Sequence, residues 1–121
     1  MYDANLRGEL SRLGAYAAHL AAAPVVLVLL SPEDGFRDTE FDMGRVAQSV
    51  TMVATSMSLG SCPASLYPEE NSHRAAVLVG AEPGWTARHA IALGHPGEPR
   101  AVGRRVIPRG RLDTGQLLHV C

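Results

Sequence analysis

Lysine does not occur anywhere in the 121 residues; all 11 basic side chains are arginine. Covalent chemistry through a lysine amine is thereby excluded. Cysteine is nearly as scarce, and Cys62 and Cys121 are too few for a disulfide framework or a thiolate zinc site. Long hydrophobic runs are missing too. The longest, Leu20 to Leu30, covers eleven residues and contains Pro24, whereas a membrane-spanning helix needs about 20. An excess of either charge is also lacking. A formal net charge of −1 argues against a dedicated binder of nucleic acid or of anionic membranes. The first residues, with Asp3, Arg7 and Glu9 among them, do not follow the basic-then-apolar plan of an export signal. The expected compartment is a reducing cytoplasm.

What is present suits one globular domain over 1–121, with 46% apolar and 19% charged residues. Leu6, Leu10, Leu13, Ala17, Leu20 and Ala21 recur at spacings of three and four, which predicts an amphipathic helix over 3–21. Pro24 ends it. Residues 24–30 follow without alternation and read as a central strand covered on both sides. A second helix is expected over 39–58, capped by Asp38 or Thr39 and stopped at Leu59-Gly60. Its apolar stripe runs through Met43, Val46, Ala47, Val50, Val53, Ala54 and Met57, wider than one partner layer needs. A short strand or extended loop at 61–66, a third helix at 69–79 and a strand at 85–93 complete the body. Residues 98–121 form a C-terminal arm with a last helical turn at 113–119. The expected architecture is α+β, a mostly antiparallel or mixed sheet with the two long helices packed on it.

The chemistry on offer is sparse. Ser61, Cys62 and Ser65 are the nucleophile candidates, but no Gly-x-Ser-x-Gly elbow surrounds them and spacing alone sets no histidine beside them. The plainer expectation is backbone geometry plus a small buried thiol. The five histidines are scattered without a metal-ligand spacing, and His73 reads as a solvated helix residue. Neither a Walker loop nor a Gly-x-Gly-x-x-Gly occurs. Arg100, Arg104 and Arg105 cluster after a Gly-Pro-rich turn; they suit either a phosphate, gripped through paired hydrogen bonds, or a solvated basic arm.

Three stretches together resemble the nitroreductase family of flavin enzymes. The first is Ala23-Pro24-Val25-Val26-Leu27-Val28-Leu29, which is similar to a strand of that family. The second runs from Asp42-Met43-Gly44-Arg45-Val46-Ala47-Gln48 to Ser58-Leu59-Gly60-Ser61-Cys62-Pro63 and resembles the family's long helix and the strand behind it. The third joins Pro83-Gly84-Trp85 to Ala90-Ile91-Ala92-Leu93-Gly94-His95-Pro96. Arg104-Arg105-Val106-Ile107-Pro108 and Leu112-Asp113 are similar to the family's ending. The resemblance is to the C-terminal portion of a nitroreductase; the family's N-terminal segment, with an arginine-rich motif for the flavin phosphate and an asparagine for the ring, has no counterpart here.

That resemblance implies a nitroreductase-like sheet flanked by helices and truncated at the N-terminus. It also implies FMN as cofactor, with hydride transfer through flavin N5 to or from a small organic molecule and an NADH or NADPH donor. By position, the backbone of Ser61, Cys62, Pro63, Ala64 and Ser65 is expected near the ring edge, and Arg104 and Arg105 at the phosphate. The implied assembly is a homodimer built around the second helix, or a heteromer whose other chain supplies the missing N-terminal half. The competing expectation is a non-catalytic small-molecule binder or structural partner on a degenerate version of the same scaffold.

Overall fold

The computed structural model of the protein describes residues 1–97; the arm at 98–121 and its expected helical turn lie outside the described residues. Asp3 caps α1 (Ala4–Leu10), its carboxylate accepting from the Leu6 amide at 2.9 Å. The helix expected over 3–21 does not continue. Residues 11–18 turn, and only one further helical turn, α2 (His19–Ala22), follows. Gly14 marks the physical reason. A Cβ built there would lie 2.3 Å from the carbonyl oxygen of Ser65, so the chain crosses that strand at the one side chain small enough to let it. Leu10, Leu13, Ala17 and Leu20 are buried nonetheless; the spacing marked the burial but not the path.

The sheet has three strands: β1 (Val25–Pro32), β2 (Gly60–Ser65) and β3 (Trp85–Gly94), in the order β1-β3-β2. Both pairings with β3 are antiparallel. The antiparallel α+β expectation therefore holds, but the expected central strand does not. β1 lies at an edge of the described sheet, and β3, which carries Arg88 and His89, is central. β1 is apolar on both sides because both faces of the sheet are covered, whatever its place in the order. On one face Val26, Ala64, Leu66, Ala90 and Ala92 join Leu10, Ala17 and Leu20 in the main core, together with Ala75 and Ala76 of α4 (Glu69–Leu78). On the other, Leu29 and Ile91 are buried on the side of α3 (Arg37–Ser56).

The start of α3 also differs from expectation. Phe36 occupies the N-cap and makes no side-chain capping bond. Asp34 does that work from outside the helix, accepting from the Phe36 amide at 3.0 Å and the Thr39 hydroxyl at 2.7 Å. These two donors, the amide first, hold the Asp34 carboxyl below its ordinary 3.8. At the far end the left-handed residue is Ser58, not Gly60, which instead opens β2. The wide apolar stripe divides. Met43, Ala47 and Val50 are half-buried and Ala54 is buried, whereas Val46, Val53 and Met57 are exposed.

Two outcomes follow from these contacts. Gly14→Ala is expected to destabilise the protein by about 1–3 kcal/mol through overpacking. Gly8→Ala, in α1 with nothing within 4 Å of a built Cβ, should stabilise by about 0.5–1 kcal/mol; urea midpoints of the two variants should move in opposite directions. For Asp34 the folded value is depressed, so its contribution is present above the unfolded value near 3.8 and lost as pH falls through the lower folded one. Asp34→Ala should lower the melting temperature at pH 7, and the gap to wild type should close in melts taken below pH 3.8.

Candidate functional site

The five residues expected at the ring edge all fall on β2 or at its end, but the strand sends them to different places. The Leu66 amide donates to the Arg88 carbonyl at 2.8 Å. This bond sets the phase of the β2–β3 ladder. Bonded pairs fall on Cys62, Ala64 and Leu66, and the main-chain groups of Ser61, Pro63 and Ser65 turn to the outer edge. Pro63, which has no amide to donate, fits there. Cys62 and Ala64 lie two apart and share one face of the sheet, but only Ala64 is buried; Cys62, nearer the open start of the strand, is exposed. The buried thiol expected from the sequence is therefore corrected.

Ser65 borders a cavity of about 370 Å³ at the C-terminal end of β2, with Tyr67, Glu69, Arg88, His89 and Glu40 around it. Ser61 and Cys62 instead line a shallower depression of about 260 Å³ at the other end of the strand, with His19 and His95. There the His19 imidazole lies 3.3 Å from the Cys62 carbonyl oxygen. Pro63 and Ala64 line neither cavity. Of the five, only Ser65 reaches a concave site that holds charged and hydrogen-bonding side chains. Arg104 and Arg105 lie outside the described residues.

The histidine that spacing could not set beside the serines is His89. It is the direct cross-strand partner of Ser65, and its Nδ1 lies 3.4 Å from the Ser65 hydroxyl oxygen. On its other side it pairs with Leu29. A bulge helps to shape this corner. Ser31 pairs with Thr86 and Leu29 with His89, so β3 carries one residue more than β1 across this interval. The extra residue falls at Ala87 and Arg88, and such insertions re-aim side chains. As a result the neighbours Arg88 and His89, which strict alternation would send to opposite faces, both border the cavity.

Arg88 spans the rim. Its guanidinium lies 3.1 Å from Glu40 of α3 and 3.8 Å from Glu69 of α4. Both pairs are about half exposed or more, so each contributes at most about 1 kcal/mol. What they do is join the first turns of the two helices across the cavity mouth. Beyond that bridge lies a more polar cleft of about 550 Å³ with Glu33, Thr39, His73 and Thr86 on its walls. His73 is not simply solvated, since its Nε2 is paired with the Glu33 carboxylate. Thr86 is buried with an unpartnered hydroxyl. Among the described residues no group of three or more His, Cys, Asp or Glu side chains is placed to hold a metal ion. No described helix is long and apolar enough to cross a membrane.

Sequence reasoning missed His89 and Arg88 because both belong to the polar minority of an apolar strand. The signal that finds them is register: only the pairing of β2 with β3 sets residue 65 against residue 89.

Comparison with known proteins fits this geometry. The family model for the nitroreductase family matches residues 3–95. A search of curated proteins gives no match. Among solved structures, an FMN-dependent nitroreductase from Clostridium difficile superposes with a TM-score of 0.72 at 16% identity, over 86% of this chain and 65% of that one. A protein from Parabacteroides distasonis, given provisionally as an NADH dehydrogenase or NAD(P)H nitroreductase, reaches a TM-score of 0.77 at 16% identity over 98% and 68% of the two chains. Nitroreductase A from Vibrio parahaemolyticus gives 0.68 at 21% identity over 93% and 57%. The chain thus spans between about half and two-thirds of the length of these relatives. At such identities the superpositions speak for the fold alone, whereas the match over 3–95 covers most of the chain: this protein belongs to the nitroreductase family.

Proposed function

We propose that the chain forms part of an FMN-dependent oxidoreductase, with a flavin ring edge seated against the end of β2 and a small organic molecule as the reacting partner. The observation that carries this reading is the cavity beside Ser65. Its polar set suits a flat, polar-edged ring: the Ser65 hydroxyl, the His89 imidazole and the Arg88 guanidinium. Its volume, about 370 Å³, lies within the usual span for small-molecule sites. When bound, the cofactor supplies hydride transfer, and the protein's part is to position it and tune its electronics.

The residues divide that part among themselves. Ser65 offers its hydroxyl at the ring edge, while Ser61 and Cys62 line the separate depression at the other end of β2. Arg88, held by Glu40 and Glu69, sets a fixed positive charge at the mouth. Arg104 and Arg105 are proposed as the phosphate donors. Assembly completes the reading. Val46, Val53 and Met57 leave an exposed apolar line along α3, and we propose that it is covered by a second copy or by a partner chain contributing further flavin contacts.

Hydrogen bonds to a charged group are worth about 1.5–3 kcal/mol, so Arg104→Ala and Arg105→Ala should each weaken FMN roughly 10- to 150-fold. Titrating the quenching of FMN fluorescence measures this. Equal affinity in wild type and both variants removes the phosphate role, and absence of binding in all three favours the non-catalytic alternative. Sedimentation at micromolar concentration should show a dimer or larger assembly, and Met57→Glu should shift it toward the monomer. A monomeric wild type would refute the assembly.

A further inference from the structure

The flavin reading leaves one arrangement unexplained: a serine hydroxyl and an imidazole set side by side across two strands on the wall of the same cavity. We propose that Ser65 and His89 form a proton relay that delivers a proton to the molecule reduced there. This inference rests on the flavin reading for the source of its electrons.

The geometry supports it at three levels. The pair is set by the backbone, because Ser65 and His89 are directly opposed in the ladder; neighbours of this kind stay together without a flexible side chain having to find its partner. The Oγ to Nδ1 distance of 3.4 Å is long for such a bond, as is common where catalytic contacts tighten only around a ligand. Ser65 is exposed and His89 is half-buried, and both border the cavity. A hydroxyl on the exposed residue and an imidazole on the half-buried one suit a relay, in which the proton reaches the ligand through the hydroxyl.

The other charged groups around the pair are accounted for. Glu40 faces the cavity from α3, Glu69 from α4 and Arg88 from β3 itself, while β1 contributes the apolar Leu29. The three charges are engaged with one another. His73 of α4, in the neighbouring cleft, is paired with Glu33. Among the described residues His89 is the one imidazole that borders this cavity, and imidazole is the side chain whose ordinary titration falls between pH 5 and 8.

The step balances as follows. Reduction of an acceptor by two electrons adds a hydride, which the flavin reading supplies, and leaves a negative atom that needs a proton. The Ser65 O–H bond breaks as the acceptor's new bond to hydrogen forms. The Nδ1–H bond of the His89 imidazolium breaks as the Ser65 O–H re-forms. The neutral imidazole then regains a proton from water.

The test uses the full chain with FMN, and 1,4-benzoquinone as acceptor, whose conversion to the hydroquinone takes one hydride and one proton. In stopped-flow reoxidation of the reduced protein, His89→Gln and Ser65→Ala should each slow the step roughly 100-fold or more and abolish its pH dependence between pH 5 and 8. Each variant is measured at an FMN concentration that saturates it, set from its own titrated Kd, so that a lost ring contact does not enter the rate. Independently of activity, the His89 Nδ1 resonance in NMR spectra of the cofactor-free protein should move in Ser65→Ala relative to wild type, because the Ser65 hydroxyl is its contact. If His89→Gln fails to fold by circular dichroism, Ser65→Ala carries both readouts alone. FMN binding with an unaltered pH profile in the variants overturns the relay only, as does an unmoved His89 Nδ1 resonance. A wild type that binds no FMN overturns the flavin reading and the relay with it.

Discussion

β1 and β2 each hydrogen-bond to β3 and, among the described residues, to no other strand. The placement of Ser65 against His89 and beside Arg88 therefore depends on one ten-residue segment. Along β3 the small buried residues Ala87, Ala90 and Ala92 keep the main core close to the sheet, and Ile91 fills the opposite side. The polar members, Arg88 and His89, can be carried only where the sheet ends and the helices begin. Packing and chemistry are thus sorted along a single strand, with the apolar half toward Gly94 and the reactive half toward Trp85.

The same strand explains what the amino-acid order made legible. Helix and strand positions from β1 onward follow from local apolar spacing and from Gly and Pro punctuation, and they lie within a few residues of where they are expected. Edge and centre do not follow, because the apolar character of β1 records coverage of two faces and says nothing of who pairs with whom. The break in the first helix was equally hidden. Gly14 looks like one small residue among several, and its necessity arises from a carbonyl about fifty positions away. Of the five β2 residues expected at the ring edge, Ser65 borders the charged cavity; it was named by likeness to a family, whereas the two side chains that give its surroundings their charge and their imidazole come from β3 and required the register.

α3 shows a different limit. Its spacing announced a helix apolar across a wide arc, and the fold uses only the half that turns toward the sheet, ending in buried Ala54. A hydrophobic pattern specifies how much surface must leave water but not which body removes it. The outward half, Val46, Val53 and Met57, has the spacing of a face designed for contact, and within the described chain nothing occupies it.

The contact of Gly14 with Ser65 has a mechanical consequence. The loop between α1 and α2 rests on the outer edge of β2 with no side chain between them, and the same loop is tied to α4 through Asn71, whose amide group donates to the Leu13 carbonyl at 3.1 Å. Ser65 is thereby clamped between β3 on one side and a helical layer on the other. Thermal motion of the cavity's edge is then governed in part by a loop that lines none of it. A loosened turn at residues 11–18 would be felt as a blurred position of the Ser65 hydroxyl, so stiffness at the reactive corner is a property inherited from the backbone packed behind it.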